Sequence, residues 1–151
     1  MNVSDPSIRE YRPRDIEKVA ALLRSNIPKY FVPAEEQELR DYLIEHPEDY
    51  YVMESGGEVV GAGGFAGNKD GSIGLCWGMV RNDLIGTGLG KRLTLFRMEK
   101  AREKLGDRPF MISTSQHTEG FYQKLGFETI EHIPDGFAPG IDICKMVAVR
   151  E

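Results

Sequence analysis

The segment Arg81-Asn82-Asp83-Leu84-Ile85-Gly86-Thr87-Gly88-Leu89-Gly90-Lys91-Arg92 sets three alternate glycines and three basic residues where a β-favouring run gives way to a helical one. Glycine lets a backbone approach a ligand closely. The free N–H groups of a helix start, with the positive end of its dipole, form an anion site that suits a phosphate or diphosphate. Two familiar phosphate loops fail on counting. A Walker A loop needs Ser or Thr after Gly-Lys and a leading glycine, but Arg92 follows Gly90-Lys91 and Ile85 holds the leading position. A dinucleotide loop needs a third glycine where Lys91 stands. Further along, Gly120-Phe121-Tyr122-Gln123-Lys124-Leu125-Gly126-Phe127 offers the phenol of Tyr122, and His117 offers an imidazole, a group that titrates near neutrality.

The elements that must position these groups follow from hydrophobic periodicity. Residues 8–12 read as a strand, and Pro13 opens a helix with Ile16, Val19, Ala20 and Leu23 at helical spacing. A second helix starts near Glu35 and Glu36, carries Leu39, Tyr42 and Leu43 on one face, and ends at Pro47. Residues 50–54 and 58–65 around Ser55-Gly56-Gly57 predict a hairpin. After a turn at residues 67–71, a third strand over residues 72–80 alternates Leu75, Trp77 and Met79 onto one face. Three strands joined by tight turns imply an antiparallel meander rather than parallel units, which also argues against both phosphate-loop folds.

Leu89, Leu93, Phe96, Ala101 and Leu105 then share one face of a long helix from Gly88, with Gly106 as its stop. A strand at residues 110–113, a short helix at 118–125, and strands at 127–133 and 141–149 follow. The last two are separated by a turn-rich loop over residues 134–140.

With 151 residues, 40% of them hydrophobic and 28% charged, the chain is expected to form a single domain over residues 1–151, able to bury a core without a disulfide or metal staple. Cys76 and Cys144 lie far apart in apolar runs with no metal-ligand spacing, so they read as small core residues and no metal is expected. A net charge of −5 argues against general attraction to nucleic acid or an anionic membrane. Neither a signal-peptide pattern nor an apolar run of membrane-spanning length occurs, and a soluble cytoplasmic protein is the expectation.

The glycine loop and the Tyr122 segment, in that order, resemble the two signatures of the GNAT superfamily of acetyl-CoA-dependent N-acetyltransferases, Q/R-x-x-G-x-G/A and F-Y-x-x-L-G-F. Gly88 and Gly90 match the first, with Ile85 where the family usually has Gln or Arg; Ile8-Arg9 with Asp15 is similar to the family's start, so the likeness covers nearly the whole chain. The resemblance implies an α/β (α+β) acyl-CoA N-acyltransferase fold. That fold is a mixed, mostly antiparallel sheet of six to seven strands with about four helices, whose fourth and fifth strands splay around the pantetheine arm of the cosubstrate.

The activity implied is that of an acyltransferase, moving acetyl from acetyl-CoA to a primary amine of a small molecule or peptide by direct attack in a ternary complex. Main-chain groups of Met79, Val80 and Arg81 would then pair with the pantetheine amides. The N–H groups of Gly86, Thr87, Gly88, Leu89, Gly90, Lys91 and Arg92 would hold the diphosphate. Lys91, Arg92 and Lys124 are candidates for phosphate charge, or else solvated surface; Ser115 stands where the family often has a cofactor-contacting asparagine.

Such a transfer needs a neutral amine, and an alkylamine with a pKa near 10.4 costs roughly 4 to 5 kcal/mol to deprotonate at pH 7. Tyr122 matches the family tyrosine that faces the thioester sulfur as general acid, with packing as its alternative use. The family's usual glutamate is missing from Ser72-Ile73-Gly74-Leu75-Cys76-Trp77-Gly78, so His117 is the candidate base, and Asp142 could bind the ammonium; either could instead be a cap or surface residue. Tyr30, Phe31 and Phe137 suggest a partly apolar acceptor mouth, with Trp77 as its wall or as core. The same aromatic residues could serve as core or as a homodimer contact. A coenzyme A-binding sensor or scaffold without catalysis is the competing function.

Overall fold

The structure, a computed structural model, describes residues 5–148. Seven strands form one sheet in the order β1-β2-β3-β4-β5-β7-β6. They are β1 Ser7–Glu10, β2 Tyr50–Ser55, β3 Glu58–Gly67, β4 Ile73–Val80, β5 Phe110–Thr114, β6 Glu128–Ala138 and β7 Ile141–Ala148. Four α-helices accompany them: α1 Ile16–Ser25, α2 Glu35–Glu45, α3 Leu89–Leu105 and α4 Glu119–Lys124. Every neighbouring pair is antiparallel except β4 with β5. This is the mixed, mostly antiparallel architecture that the resemblance implies.

Both faces of the sheet are covered, which explains why the four consecutive residues Tyr50, Tyr51, Val52 and Met53 of β2 are all apolar. Tyr50 and Val52 pack with Val19, Leu23, Leu39 and Leu43 of α1 and α2. Tyr51 joins Met98, Ala101 and Tyr122 on the opposite face, and Met53 joins Leu89 and Leu93. A strand buried on two sides reads as a continuous apolar run rather than an alternating one.

Several local expectations change. The first strand ends at Glu10 instead of running to residue 12, and Pro13–Asp15 make a 3-10 turn before α1 begins. The cause is Asp15, which is buried, accepts the Arg12 N–H at 2.8 Å and takes a two-pronged bond from the Arg9 guanidinium. Arg9 also pairs with Glu54 on β2. Hydrogen bonding from Arg9, against the burial that opposes it, holds the Asp15 carboxyl below the usual carboxylate range.

The expected loop over residues 134–140 is mostly strand. β6 runs on to Ala138, and four residues bulge between the pairs Ile133↔Ile143 and Ala138↔Ile141. Two carboxylates satisfy this bulge, because Asp142 accepts the Asp135 N–H at 2.9 Å and Asp135 accepts the Gly140 N–H at 2.7 Å. Turn-favouring residues therefore re-aim a hairpin tip rather than break the pairing. The expected end of the last strand at Val149 lies outside the described residues.

The alternation of Leu75, Trp77 and Met79 also fails. Trp77 has φ 47°, and the register slips so that Ala62↔Met79 is followed by Gly64↔Cys76, leaving Trp77 and Gly78 opposite Gly63. This one-residue bulge turns Leu75 toward the α3 side and Met79 toward the α1/α2 side. The Tyr50 hydroxyl donates to the Trp77 carbonyl at 2.9 Å, which fixes the bulge from β2.

Candidate active site

Strands β4 and β5 pair only at Ile73↔Phe110 and Gly74↔Met111, and then part. Beyond that fork, the facing edges of residues 75–80 and 112–114 have no ladder partner in each other. Unpaired main-chain donors and acceptors at a sheet gap seek a partner, and an extended ligand with amides of its own can add there as a strand would. The gap opens into a cavity of about 840 Å³.

One end of this cavity is the glycine loop. Asn82–Leu84 form a 3-10 turn, Ile85 is extended, and Gly86 and Gly88 have φ 86° and 91°, a left-handed conformation that favours glycine. Gly88 is the N-cap of α3 and no side chain caps the helix. The first-turn N–H groups are thus free donors at a positive helix end. Gly86, Gly88, Gly90 and Lys91 line the cavity there, as do Met79 and Val80 of β4.

Not every residue expected at this end reaches it. Leu89 is turned into the core, and Thr87 donates its hydroxyl to the Leu84 carbonyl. Arg81 is held by Asp83 at 2.7 Å and Glu58 at 3.0 Å. Arg92 reaches Asp5 and the Pro6 carbonyl instead. Lys124 is not part of the wall either, so Lys91 is the one basic side chain of the three expected for phosphate charge that lines the cavity.

Tyr122 lines the cavity from α4, where its ring packs edge-on to Phe121 and Phe127 at 5.0 and 5.6 Å. Its hydroxyl has no protein partner among the described residues. His117 lines the cavity too, set by Ser115, whose hydroxyl accepts the His117 N–H at 3.2 Å, and its ring meets the edge of Tyr30 at 6.0 Å. Phe31 stacks on Trp77 at 6.2 Å, and with Phe137 these aromatic residues, together with Ser115, line the same cavity. Asp142 does not. Its carboxylate is engaged by the Asp135 N–H and by His132 at 2.7 Å, which hold it below the usual carboxylate range.

Three groups in the wall escaped the sequence. Asn26 bonds the carbonyls of Leu22 and Val80, tying the end of α1 to the end of β4. Arg97 stands four residues after Leu93 and four before Ala101, on the buried stripe of α3, a spacing that marks it as a buried cation. Glu35, legible only as a helix-start signal, lines the cavity beside Phe31. One of its oxygens accepts the Val32 N–H at 3.0 Å, and burial pushes its carboxyl above its ordinary value near 4.5. Cys76, expected as core, is half-buried in the wall with its sulfur 3.1 Å from the Tyr42 hydroxyl.

The raised Glu35 carboxyl has a stability consequence. The folded state binds a proton more tightly than the unfolded one, so stability rises as pH falls from the raised pKa to the ordinary value, and the buried charge costs most above that window. Glu35→Gln is expected to raise the melting temperature of the free protein by about 2 °C at pH 8 and not at pH 4, a small effect because the group is partly solvated. Thermal melts at the two pH values check it; equal shifts would mean the carboxylate carries no desolvation cost.

The chain matches a model of the acetyltransferase (GNAT) domain over residues 12–149. It is 30% identical over 160 residues to the uncharacterized N-acetyltransferase YjgM of Escherichia coli, covering 97% of this chain and 95% of that protein. Among solved structures, Ard1 from Thermoplasma volcanium superposes with a TM-score of 0.80 at 22% identity, over 97% of this chain and 99% of the other. N-acetylglutamate synthase from Neisseria gonorrhoeae, complexed with coenzyme A and N-acetyl-glutamate, gives 0.74 at 22% identity, over 96% of this chain and 35% of the other. Among the described residues, no helix is long and apolar enough to cross a membrane, and no cluster of three His, Cys, Asp or Glu side chains could hold a metal ion.

Proposed function

The chain belongs to the GNAT acetyltransferase family, and from that premise we propose that it transfers acetyl from acetyl-CoA to a primary amine by direct attack within a ternary complex. The observation that carries this is the fork between β4 and β5, whose unpaired edges lead from an uncapped helix start to a buried phenol. A ligand with a diphosphate at one end, two amides along its arm and a reactive thioester at the other matches that sequence of groups. The structural neighbour from Neisseria, whose crystals hold coenzyme A, has the same fold.

In the mechanism proposed, the N–H groups of Gly86, Gly88, Leu89, Gly90 and Lys91 hold the diphosphate with charge from Lys91, and the main chain of Met79 and Val80 pairs with the pantetheine amides. The amine enters between Tyr30, Phe31, Trp77 and Phe137, where the Glu35 carboxylate attracts its ammonium form. His117 accepts the proton, directly or through water, and the freed lone pair attacks the thioester carbonyl. A C–N bond forms, the C–S bond breaks, the electron pair leaves on sulfur with the Tyr122 hydroxyl hydrogen-bonded to it, and the second proton lost by the acylated nitrogen passes through water to the thiolate.

Saturating acetyl-CoA, at about 100 Kd, is expected to stabilise the fold by about 2.7 kcal/mol, which raises the melting temperature by several degrees. Thiol release should then follow with at least one member of a panel of polyamines, amino acids, aminoglycosides and peptides. Absence of any shift with coenzyme A or acetyl-CoA would sink the proposal. A shift with no thiol release across the panel would leave a binding scaffold.

A further inference from the structure

Arg97 is 1% exposed, in the middle of α3, yet its guanidinium has no ion-pair partner among the described residues. Nη1 donates to the Gly64 carbonyl at 3.1 Å, and Nε has no partner among the described residues. A guanidinium cannot shed its proton, and a buried charge is costly unless something compensates it. The acidic groups that feel its field, Tyr50 on β2 and Cys76 on β4, are both pushed toward their neutral forms by burial. They do not neutralise it.

The fold nevertheless makes room for this side chain. A Cβ on Gly63 would stand 2.9 Å from the Arg97 Cζ and Nε, and one on Gly78 would stand 2.4 Å from Nη2. Two glycines on neighbouring strands, at the β4 bulge, thus seat the guanidinium in the cavity wall. Gly90, Thr94 and Arg97 line the cavity along α3, and at 1.5 Å rise per residue Arg97 lies about 10 Å down the axis from Gly90. That is too far to serve a diphosphate in the glycine loop. Tyr122, the phenol proposed to face the leaving sulfur, lines the same cavity.

We propose that Arg97 is the cation that holds the negative charge on the coenzyme A sulfur as the acetyl group leaves. The proposal rests on the acetyl transfer put forward above. As the C–N bond forms and the C–S bond breaks, the electron pair passes to sulfur while the amine's proton goes to the base. Phenols are weaker acids than alkyl thiols, with pKa values of about 10 against about 8.5, so a phenol hydrogen bond leaves most of the charge on sulfur. A thioester is neutral, so the cation is uncompensated before the reaction and compensated as charge develops. Interactions of that kind lower a barrier, because they are stronger in the transition state than in the ground state.

The test compares coenzyme A with desulfo-coenzyme A by calorimetry on the full chain at pH 6 and pH 9, for the wild type, Arg97→Met and Arg97→Lys. A neighbouring cation lowers the pKa of an acid by about 1 to 3 units, so the wild type's preference for the thiol-bearing ligand should grow about tenfold or more between the two pH values. Glu35, Cys76, Lys91, His117, Tyr122 and Lys145 line the cavity of the wild type and of Arg97→Met alike, so comparing the two proteins removes their contribution. Arg97→Met should keep no growth in preference and Arg97→Lys part of it, while kcat falls more than KM rises.

Without ligand, Arg97→Met should melt within about 5 °C of the wild type or above it, because removing an uncompensated buried charge offsets the lost Gly64 bond. Equal growth of preference in wild type and Arg97→Met overturns the proposal. So does an Arg97→Met protein that melts far lower yet keeps the preference, which would make the guanidinium a prop for the Gly64 carbonyl. Selective loss of carboxylate-bearing acceptors overturns it in favour of an acceptor role. If neither ligand binds the wild type, acetyl transfer itself fails; if both bind without growth in preference, only the role of Arg97 does.

Discussion

Tyr122→Phe is expected to lower kcat by about a hundredfold, the smaller end of what a positioned proton donor contributes, and to leave the KM for acetyl-CoA nearly unchanged. The substitution isolates one atom. The Tyr122 ring is buried among Phe110, Phe127, Cys144 and Met146 and keeps its edge-on contacts with Phe121 and Phe127 when the hydroxyl is removed. No protein group among the described residues bonds that hydroxyl, so the variant orphans no buried donor or acceptor, and stability should change by less than about 1 kcal/mol. A drop in kcat and kcat/KM together would mark an interaction made in the transition state alone. An unchanged kcat in steady-state assays would mean that the phenol merely packs.

Gly90→Asp should move stability and binding in opposite directions. Gly90 sits in the first turn of α3, which carries no acidic residue, and a carboxylate there complements the helix dipole by about 0.3 to 1 kcal/mol. Replacing a helical glycine adds a comparable gain. Space permits it, since a Cβ at this position would meet the Phe121 ring at 3.5 Å and Val80 at 3.7 Å, ordinary contacts. The same carboxylate would stand in the cradle proposed for the diphosphate. Like charges about 4 Å apart repel by about 1 kcal/mol in water and about 4 kcal/mol near a protein surface, so acetyl-CoA affinity should fall about a hundredfold. Gly90→Ala, which adds the same Cβ without charge, should lose far less. Calorimetry and a thermal melt of each variant decide the matter, and unimpaired binding by Gly90→Asp would place the diphosphate elsewhere.

The site was legible to different depths at its two ends. The glycine cradle could be read from the chain because it depends on local properties: backbone freedom at Gly86 and Gly88, and a helix that starts without a capping side chain. Tyr122 was singled out by its motif and His117 by its residue type, and both line the cavity. The basic side chains were read less well, since what decides their role is the partner each meets. Arg81 meets Asp83 and Glu58, and Arg92 meets Asp5, only after folding. Asp142 was misplaced for the same reason, its carboxylate being consumed by the bulged tip of the β6–β7 hairpin.

Period and punctuation by themselves determined the order of strands and helices, the antiparallel meander and the uncapped, glycine-rich helix start, because each rests on interactions between near neighbours in the chain. The tertiary structure alone decided where β4 leaves β5, how the bulge at Trp77 and Gly78 turns Leu75 and Met79 to opposite faces, and that Glu35 and Arg97 enter one cavity. Those outcomes depend on pairing and burial between segments far apart in sequence. A charge such as Arg97 shows its cost only when the protein around it excludes water and supplies no counter-ion.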